Sequence, residues 1–478
     1  MDLFINHYLI PVLAATTILS IVTIVIQLLR KDDVPLEAER TQNYIDKRTV
    51  FSSGFHEIKG NQVQYDKIFQ YNPPIQSEEI DSMFVNRESE LDKDVIYFHP
   101  KINFNQIQVI HGSSRMGKSH YMKKLLVELE KRQRPFWMEY INANSRSQAR
   151  VVLNDIFKSL KEGINRFAKY NDFENRKDVQ LMDYVSIDID PLVSGEAEEA
   201  KFRSVKEFLS SENSENSENV DFSILPDFLN KIIRLKQKTE EDWLLSKLSY
   251  DNILDFIKAQ ATFLVQISER TYRSILLAVD DVDLLYKKDE SQKEVDSLLN
   301  LLNKLTSSEN INIVMTSRKE FANDRRKEMQ FFRSVTAMED DHIKDIYRKH
   351  VDFYHNKETV FSEEALEYLI ECADGCTGVF LNHCANIFKD LNNKTNINKE
   401  GIIESLTLRI KKYSSSEKTK SYFKKIEGIA QTDSLVVKLD KNVQDTDLMF
   451  NVIVGPTPSD EYEINKLYYN YYQKKGNK

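Results

Sequence analysis

The chain has 478 residues, of which 41% are hydrophobic and 29% charged, and its formal net charge is −9 at pH 7. This length and composition suit a folded body of about two to four domains with enough apolar material for a buried core. The negative balance argues against a protein that coats nucleic acid through bulk positive charge, but it leaves room for a local basic face. Cys372, Cys376 and Cys384 cluster at helical spacing and favour buried thiols in a reducing compartment over a zinc site.

The N-terminus predicts a membrane anchor within residues 1–30. Residues 8–29 carry no charge, and a helix of that length would span about 33 Å, enough to cross a hydrocarbon core. Arg30 and Lys31 follow, so the positive-inside rule places the bulk of the chain in the cytosol. A cleaved leader would need a basic start, and a buried core helix is the other alternative. In a eukaryote, insertion in the endoplasmic reticulum or an organelle outer membrane fits this pattern equally well.

A glycine-flanked loop follows an apolar strand and precedes a helical pattern. The strand is predicted at 107–110 and the helix at 121–129. The loop fits G-x-x-x-x-G-K-[ST] in a chain that has only 12 glycines. Such a loop turns backbone N–H groups toward phosphates, and the helix N-terminus adds partial positive charge. The sequence therefore predicts ATP and Mg²⁺ as ligands, with binding residues Gly112, Ser113, Ser114, Arg115, Met116, Gly117, Lys118, Ser119 and His120.

A second apolar strand, predicted at 274–279, ends in acidic residues. Asp280 at its carboxyl end is placed to hold Mg²⁺ together with Ser119, because Mg²⁺ takes few carboxylates and keeps several waters. Asp281 is a candidate general base for an attacking water, although its side chain is one methylene shorter than the glutamate of many such ATPases. Further strands are predicted at 136–141 and 311–315.

The strand at 311–315 runs into Thr316, Ser317 and Arg318. These polar groups are candidate sensors of the γ-phosphate, and the alternative is a strand that simply ends in solvent. The catalytic candidates are therefore Lys118, Asp281, Thr316 and Arg318.

Four boxes in this order resemble those of STAND-type ATPases and of the related origin-recognition branch of AAA+ proteins. They are the F-x-x-R-x-x-E-L box at 84–91, the acidic strand end at 280–283, the polar strand end at 316–318 and the glycine-rich turn at 375–381. The resemblance covers residues 84–391. It implies a nucleotide-binding α/β core with a helical lid, and switching between ADP and ATP states, often with formation of homo-oligomers.

The resemblance also implies that Phe84, Val85 and Arg87 contact the base and ribose side of the nucleotide. The lid turn departs from the family because no arginine follows Gly378, so a sensor arginine is not evident there. The nearest options for an arginine finger are Arg325, Arg326 and Arg333.

The predicted fold class is α/β, a P-loop NTPase with a central parallel sheet of the additional-strand type. The predicted division is a transmembrane helix at 1–30, a tether at 31–80, a P-loop core at 81–335 with a helical insertion at about 150–270, a helical lid at 336–395 and a small α+β or winged-helix-like domain at 396–478. Within the last two parts, helices are predicted at 340–354, in the range 361–391 as a pair, at 398–412 and at 462–472, and strands at 435–439 and 450–454.

The leading functional hypothesis is a membrane-anchored ATPase that uses nucleotide binding and hydrolysis to switch or remodel a protein partner. One alternative is a nucleotide-gated scaffold with little turnover. Another is a nucleic-acid-handling ATPase whose C-terminal domain is a winged helix with a basic face, for which the candidates are Arg409, Lys411, Lys412, Lys418 and Lys420. Solvated lysines are the simpler interpretation of that face.

Overall fold

The computed structural model describes six main parts of the chain, apart from short gaps within them, together with residues 69 and 179. These parts are 77–98, 104–143, 149–171, 250–282, 291–354 and 358–476 without 439–452. All of them belong to the compact unit Thr49–Lys478. The predicted anchor at 8–29 and most of the predicted tether lie outside the described residues. Within the described residues, no helix has both the length and the apolarity needed to cross a membrane.

A five-stranded parallel sheet forms the centre of the nucleotide-binding core. Its strands are β1 (Ile107–Gly112), β2 (Phe136–Asn142), β3 (Ser274–Asp280), β4 (Ile311–Arg318) and β5 (Met329–Ser334). Their spatial order is β2-β3-β4-β1-β5, and every neighbouring pair is parallel. Strand β4 thus lies between β3, which ends in the acidic residues, and β1, which precedes the glycine-flanked loop. The chain has an α/β P-loop fold of the additional-strand type, as predicted.

The central strands are almost fully buried because helices cover both faces of the sheet, as expected for parallel strands with continuous apolar runs. The helices of this part are α1 (Ser77–Met83), α2 (Glu88–Tyr97), α3 (Lys118–Lys131), α4 (Ala149–Tyr170), α5 (Tyr250–Ile267), α6 (Ser291–Thr306) and α7 (Lys319–Asp324). On one face, α1, α2 and α3 share a core with strand residues such as Ile110, Leu276 and Val314. On the other face, α4 packs on β2, and α5 packs on α4 and β3.

Two features of this core differ from the sequence expectation. The edge strand β5 was not predicted, because its sequence Met-Gln-Phe-Phe-Arg-Ser has neither a continuous apolar run nor a clean alternation. The helices α4 and α5 belong to the layer that covers the sheet, although they occupy the two ends of the predicted insertion at 150–270. Apart from residue 179, the segment 172–249 between them lies outside the described residues.

The second half of the chain continues with helices α8 (Asp340–Tyr354), α9 (Glu363–Ala373), α10 (Thr377–Asp390), α11 (Lys399–Tyr413) and α12 (Glu417–Ala430). An antiparallel sheet follows, with strands β6 (Val436–Lys438), β7 (Ile453–Pro456) and β8 (Glu461–Ile464) in the order β6-β8-β7, and helix α13 (Lys466–Gly476) ends it. The prediction of helix from residue 462 is wrong at its start, because Tyr462 pairs with Val437 in β8. Helix α12 was not predicted.

One hydrophobic core joins the predicted lid to the predicted C-terminal domain. It contains Phe380 of α10, Leu406 of α11, Ile426 of α12 and Tyr468 of α13. Phe69, which lies in the predicted tether, is buried in the same core and stacks on Tyr347 with ring centroids 5.9 Å apart. The boundary proposed at 395/396 therefore divides segments that are packed together, and the folded unit reaches back beyond the boundary proposed at 80/81.

Candidate functional site

The phosphate loop lies at the carboxyl edge of the sheet, between the end of β1 and the start of α3. Two residues of the loop have left-handed backbone, Arg115 with φ of 63° and Gly117 with φ of 88°. Glycine adopts this conformation without steric cost, and Gly117 is the residue that caps the start of α3. The Lys118 ammonium donates to the carbonyl oxygens of Gly112 at 3.2 Å and Ser113 at 2.9 Å, so the lysine is folded over its own loop.

Asp280, at the end of β3, is nearly fully buried and accepts hydrogen bonds through both carboxylate oxygens. Ser119 Oγ donates to Oδ1 at 3.0 Å, and Thr316 Oγ1 and the Asp281 N–H donate to the same oxygen. Tyr140 OH donates to Oδ2 at 2.5 Å. The phosphate-loop helix, β2, β3 and β4 therefore all converge on a single carboxylate.

The oxygen atoms of Ser119 and Asp280 are of the kind that Mg²⁺ binds. A serine hydroxyl has one proton and two lone pairs, so Ser119 can donate to Asp280 and still offer a lone pair to a cation. No group of three or more His, Cys, Asp or Glu side chains suited to a metal occurs among the described residues. Mg²⁺ keeps several waters and takes one or two carboxylates, so Ser119 and Asp280 are the residues that would hold it.

Asp281 follows β3 in a left-handed conformation, with φ of 57°. Its N–H donates to Asp280 Oδ1 at 3.1 Å and to Thr316 Oγ1 at 3.0 Å. Asp and Asn tolerate this backbone region better than most residues. Asp281 is half-buried in the turn that follows β3, and its role as a base for water stays a prediction.

The polar end of β4 lies beside the phosphate loop. Thr316 is fully buried and its hydroxyl is used to hold Asp280 and Asp281, so the structure places it on the acid pair. Arg318 pairs with Gly112 in the strand register, next to the start of the loop. Their roles as γ-phosphate sensors stay predictions.

The residues of the box at 84–91 have different surroundings in the structure. Arg87 Nη1 donates to the Met116 carbonyl at 3.3 Å and Nη2 to the Thr336 carbonyl at 2.7 Å, which brings this guanidinium to the loop. Phe84 is instead buried against His120 and Tyr121, with ring centroids 5.8 and 6.1 Å away.

Val85 and His120 also contact other residues of the chain. Val85 packs into the core shared by the lid helices. His120 Nε2 hydrogen-bonds the Ile80 carbonyl at 3.2 Å, and burial lowers the pKa of His120 to about 4. A direct nucleotide contact by Phe84, Val85 or His120 stays a prediction, whereas Arg87 is hydrogen-bonded to the phosphate loop through the Met116 carbonyl.

The start of helix α10 docks directly on the phosphate loop. The Arg115 carbonyl accepts from the Gly378 N–H at 2.9 Å, from Thr377 Oγ1 at 3.5 Å and from Cys376 Sγ at 3.4 Å. A Cβ atom at Gly378 would lie 2.8 Å from Arg115 Cβ and 2.9 Å from its carbonyl oxygen. A Cβ at Gly117 would lie 3.7 Å from both Arg87 Nη1 and Thr377 Oγ1, so box, loop and lid meet at one point.

Both described options for an arginine finger are engaged within the chain. Arg325 pairs with Asp296 at 2.8 Å, and Arg333 pairs with the buried Asp94. Arg326 lies outside the described residues. The three cysteines are free thiols and buried, and burial raises the pKa of Cys372 to about 11 and that of Cys376 above its usual value.

Two residues at the acid pair were missed by sequence reasoning. The first is Tyr140 of β2, whose hydroxyl donates a hydrogen bond to Asp280. The second is Lys123, whose ammonium lies over the Tyr140 ring, 4.8 Å from its centroid. Burial and the nearby Asp280 carboxylate raise the pKa of Tyr140 far above its ordinary value, so its hydroxyl remains a donor. Burial lowers the pKa of Lys123, while Asp280 and Asp281 act in the opposite direction. Tyr140 could have been proposed as a site residue from sequence, because it lies near the carboxyl end of an apolar strand, where ligands of parallel sheets bind.

No protein-family model matches the sequence, and no curated protein matches it. Among solved structures, the chain is similar to the Aeropyrum pernix ORC1 protein in complex with DNA, with 10% identity, coverage of 78% of this chain and 73% of that chain, and a TM-score of 0.42. It is also similar to the Aeropyrum pernix ORC2 protein in ADPNP–ADP complexes, with 9% identity, coverage of 86% and 98%, and a TM-score of 0.42. Domain III of the Thermotoga maritima replication initiation protein DnaA shows 14% identity, coverage of 69% and 95%, and a TM-score of 0.34.

Proposed function

We propose that this protein binds ATP with Mg²⁺ at the phosphate loop and hydrolyses it to drive a conformational switch, in the manner of STAND-type and origin-recognition-type AAA+ ATPases. The observation that carries the proposal is the 3.0 Å hydrogen bond from Ser119 Oγ to Asp280 Oδ1, which joins the loop to an acid 161 residues further along the chain. A hydroxyl and a carboxylate that lie together at the carboxyl edge of a parallel sheet are suited to hold Mg²⁺ beside the phosphates of ATP.

Each part of the site has a distinct task in this proposal. The loop N–H groups and the start of α3 bind phosphate oxygens, and Lys118 leaves its loop carbonyls to neutralise the β- and γ-phosphates. Ser119 and Asp280 hold Mg²⁺, which supplies charge neutralisation of the transferring phosphoryl group when bound. Asp281 orients the attacking water and takes its proton.

Replacing Lys118 with alanine tests the nucleotide site. The substitution removes a charge-assisted hydrogen bond to phosphate worth about 1.5–3 kcal/mol, so we expect ATP affinity to fall by about ten- to a hundredfold. Calorimetric titration with Mg²⁺–ATP measures it. The exposed Lys327→Ala has the same charge change and should bind as the parent does. Equal affinity of Lys118→Ala and parent would show that nucleotide is not bound here.

A nucleotide-gated scaffold is the second candidate function. The lid start presents Cys376, Thr377 and Gly378 to the loop, and the residue after Gly378 is Val379 where an arginine would be needed to sense nucleotide. Steady-state phosphate release by the purified protein separates the two functions. Sustained turnover supports the ATPase, whereas tight ADP or ATP binding without turnover supports the scaffold.

The docked lid predicts that Gly378→Ala speeds nucleotide release. A methyl group there meets backbone and Cβ atoms of Arg115 at under 3.0 Å, and overpacking of this kind costs about 1–3 kcal/mol. We expect the dissociation rate of a fluorescent ADP to rise by at least about fivefold. Gly428→Ala is the matched control, because the added Cβ in helix α12 would meet nothing within 4 Å apart from the chain of its own helix turn. An unchanged rate for Gly378→Ala would mean that lid docking does not limit release.

We further propose anchoring in a membrane through residues 8–29, a protein partner as the object of the switch, and assembly into homo-oligomers. Carbonate extraction of membranes from cells that produce the chain with and without residues 1–30 tests the first. Action on nucleic acid is less well supported, because Arg409 is hydrogen-bonded to Asp390 and to the Asn386 carbonyl. Lys411, Lys412 and Lys420 are exposed. Lys418 lies where side chains are not described.

A further inference from the structure

The candidate metal site contains a lysine that the proposed hydrolysis does not use. Lys123 lies one turn after Ser119 on helix α3, so the two side chains share a face of the helix. Its side chain is nearly buried, with 7% exposure, and its ammonium lies over the ring of Tyr140. The hydroxyl of the same tyrosine is bonded to Asp280. Lys123 and Asp280 thus contact the same tyrosine, Lys123 its ring and Asp280 its hydroxyl.

The second lysine of this region, Lys118, faces elsewhere. Its ammonium contacts the carbonyls of Gly112 and Ser113, on the loop side of Ser119. The neighbouring carboxylates of Asp280 and Asp281 act electrostatically on Lys123. Two adjacent carboxylates, of which that of Asp280 is buried, would by themselves attract a divalent cation, and a fixed positive charge beside them opposes that attraction.

We infer that Lys123 is a built-in counter-ion of the acid pair, which prevents Mg²⁺ from binding alone and makes the cation enter together with the nucleotide. The inference rests on the proposed function. The phosphates of ATP bring the additional negative charge that outweighs Lys123, whereas the bare site, with its two acids and this ammonium, lacks it. Tyr140 is the positioning residue, because it contacts both the ammonium and Asp280.

Electron paramagnetic resonance of Mn²⁺ without nucleotide tests the inference. A unit charge within about 8 Å of a divalent cation changes affinity by at least about tenfold at the effective dielectric constants near protein surfaces. We therefore expect Lys123→Met to bind Mn²⁺ alone at least about tenfold more tightly than the parent. Lys123→Arg keeps the charge and should bind as the parent does, and Lys327→Met is the control for a distant, exposed lysine.

The same titration with ATP present separates the inference from the proposed function. If the parent binds Mn²⁺ with ATP but Lys123→Met shows unchanged affinity for Mn²⁺ alone, the counter-ion role is wrong and the nucleotide site stands. If the parent binds no Mn²⁺–ATP, the proposed function itself fails. Tight binding of Mn²⁺ alone by Lys123→Arg would assign the effect to packing and overturn the inference. Should Lys123→Met not fold, Lys123→Gln removes the same charge with a polar side chain and carries the same test.

Discussion

Replacing Asp281 with asparagine should lower steady-state phosphate release by about a hundredfold or more, because the variant loses the carboxylate that takes the proton of the attacking water. Affinity for ATP should stay within about twofold, since nucleotide binding depends on the phosphate loop and on Ser119 and Asp280. Asparagine tolerates the left-handed backbone that Asp281 adopts, so the turn after β3 is preserved. The hydrogen bonds to Asp280 Oδ1 and Thr316 Oγ1 are donated by the backbone N–H of residue 281, so they also remain.

Two comparisons make this result interpretable. Asp324→Asn, at the exposed end of α7, changes the net charge equally and should leave turnover unchanged. Asp281→Glu extends the carboxylate by one methylene to the length that many such ATPases use, and we expect it to keep turnover well above that of the asparagine variant. If Asp281→Asn hydrolyses ATP as fast as the parent does, the base lies elsewhere and the role of Asp281 must be abandoned.

Replacing Asp94 with asparagine should destabilise the folded protein by about 3 kcal/mol. Asp94 lies on α2 with its side chain 4% exposed, and it accepts from Arg333 Nε at 2.9 Å and from Tyr121 OH at 2.6 Å. It thereby joins α2, α3 and the edge strand β5. Removing one partner of a buried ion pair leaves the other charge uncompensated, which costs about 3–5 kcal/mol. The lower end applies because the Arg333 side chain is 21% exposed.

Urea unfolding of the purified protein measures this change as a lower midpoint. Asp92→Asn is a matched control on the same helix, because Asp92 pairs with Arg132 in an exposed salt bridge and should shift stability by less than about 1 kcal/mol. Adding Arg333→Met to Asp94→Asn removes the unpaired charge and should recover part of the loss. Equal midpoints for Asp94→Asn and Asp92→Asn would show that the buried pair does not hold β5 in place.

The strand β5 shows why part of the fold could not be predicted from sequence. The runs at β1, β3 and β4 are mainly apolar because both faces of these central strands are buried, and the sequence shows that directly, although Gln108 and Asn312 are buried polar exceptions. An edge strand is covered on one side and meets solvent on the other, so Arg333 and Gln330 break the pattern. Arg333 of this strand pairs with Asp94, 239 positions earlier, which no local pattern reveals.

The candidate site, like the sheet, could be predicted from the sequence only in part. The phosphate loop and the two acids after β3 could be identified from sequence, because their chemistry is carried by neighbouring residues at fixed spacing. The lid contact could not, since the Arg115 carbonyl accepts from Gly378, 263 positions later, only when α10 is packed against the loop. The sequence also did not reveal that the ring of Phe84 lies in a hydrophobic core beside Tyr121 of α3, and its contact with nucleotide stays a prediction.

By itself the sequence determined that a phosphate loop stands on a buried strand and that an acid ends another, because strand burial and loop chemistry are properties of short contiguous segments. Only the tertiary structure decided what surrounds Asp280. Its donors Ser119, Tyr140 and Thr316 come from three separate elements, and the order β2-β3-β4-β1-β5 is what brings them together. Contacts of this kind depend on which strands become neighbours, and the crossover connections that settle this leave no periodic signal in the residues themselves.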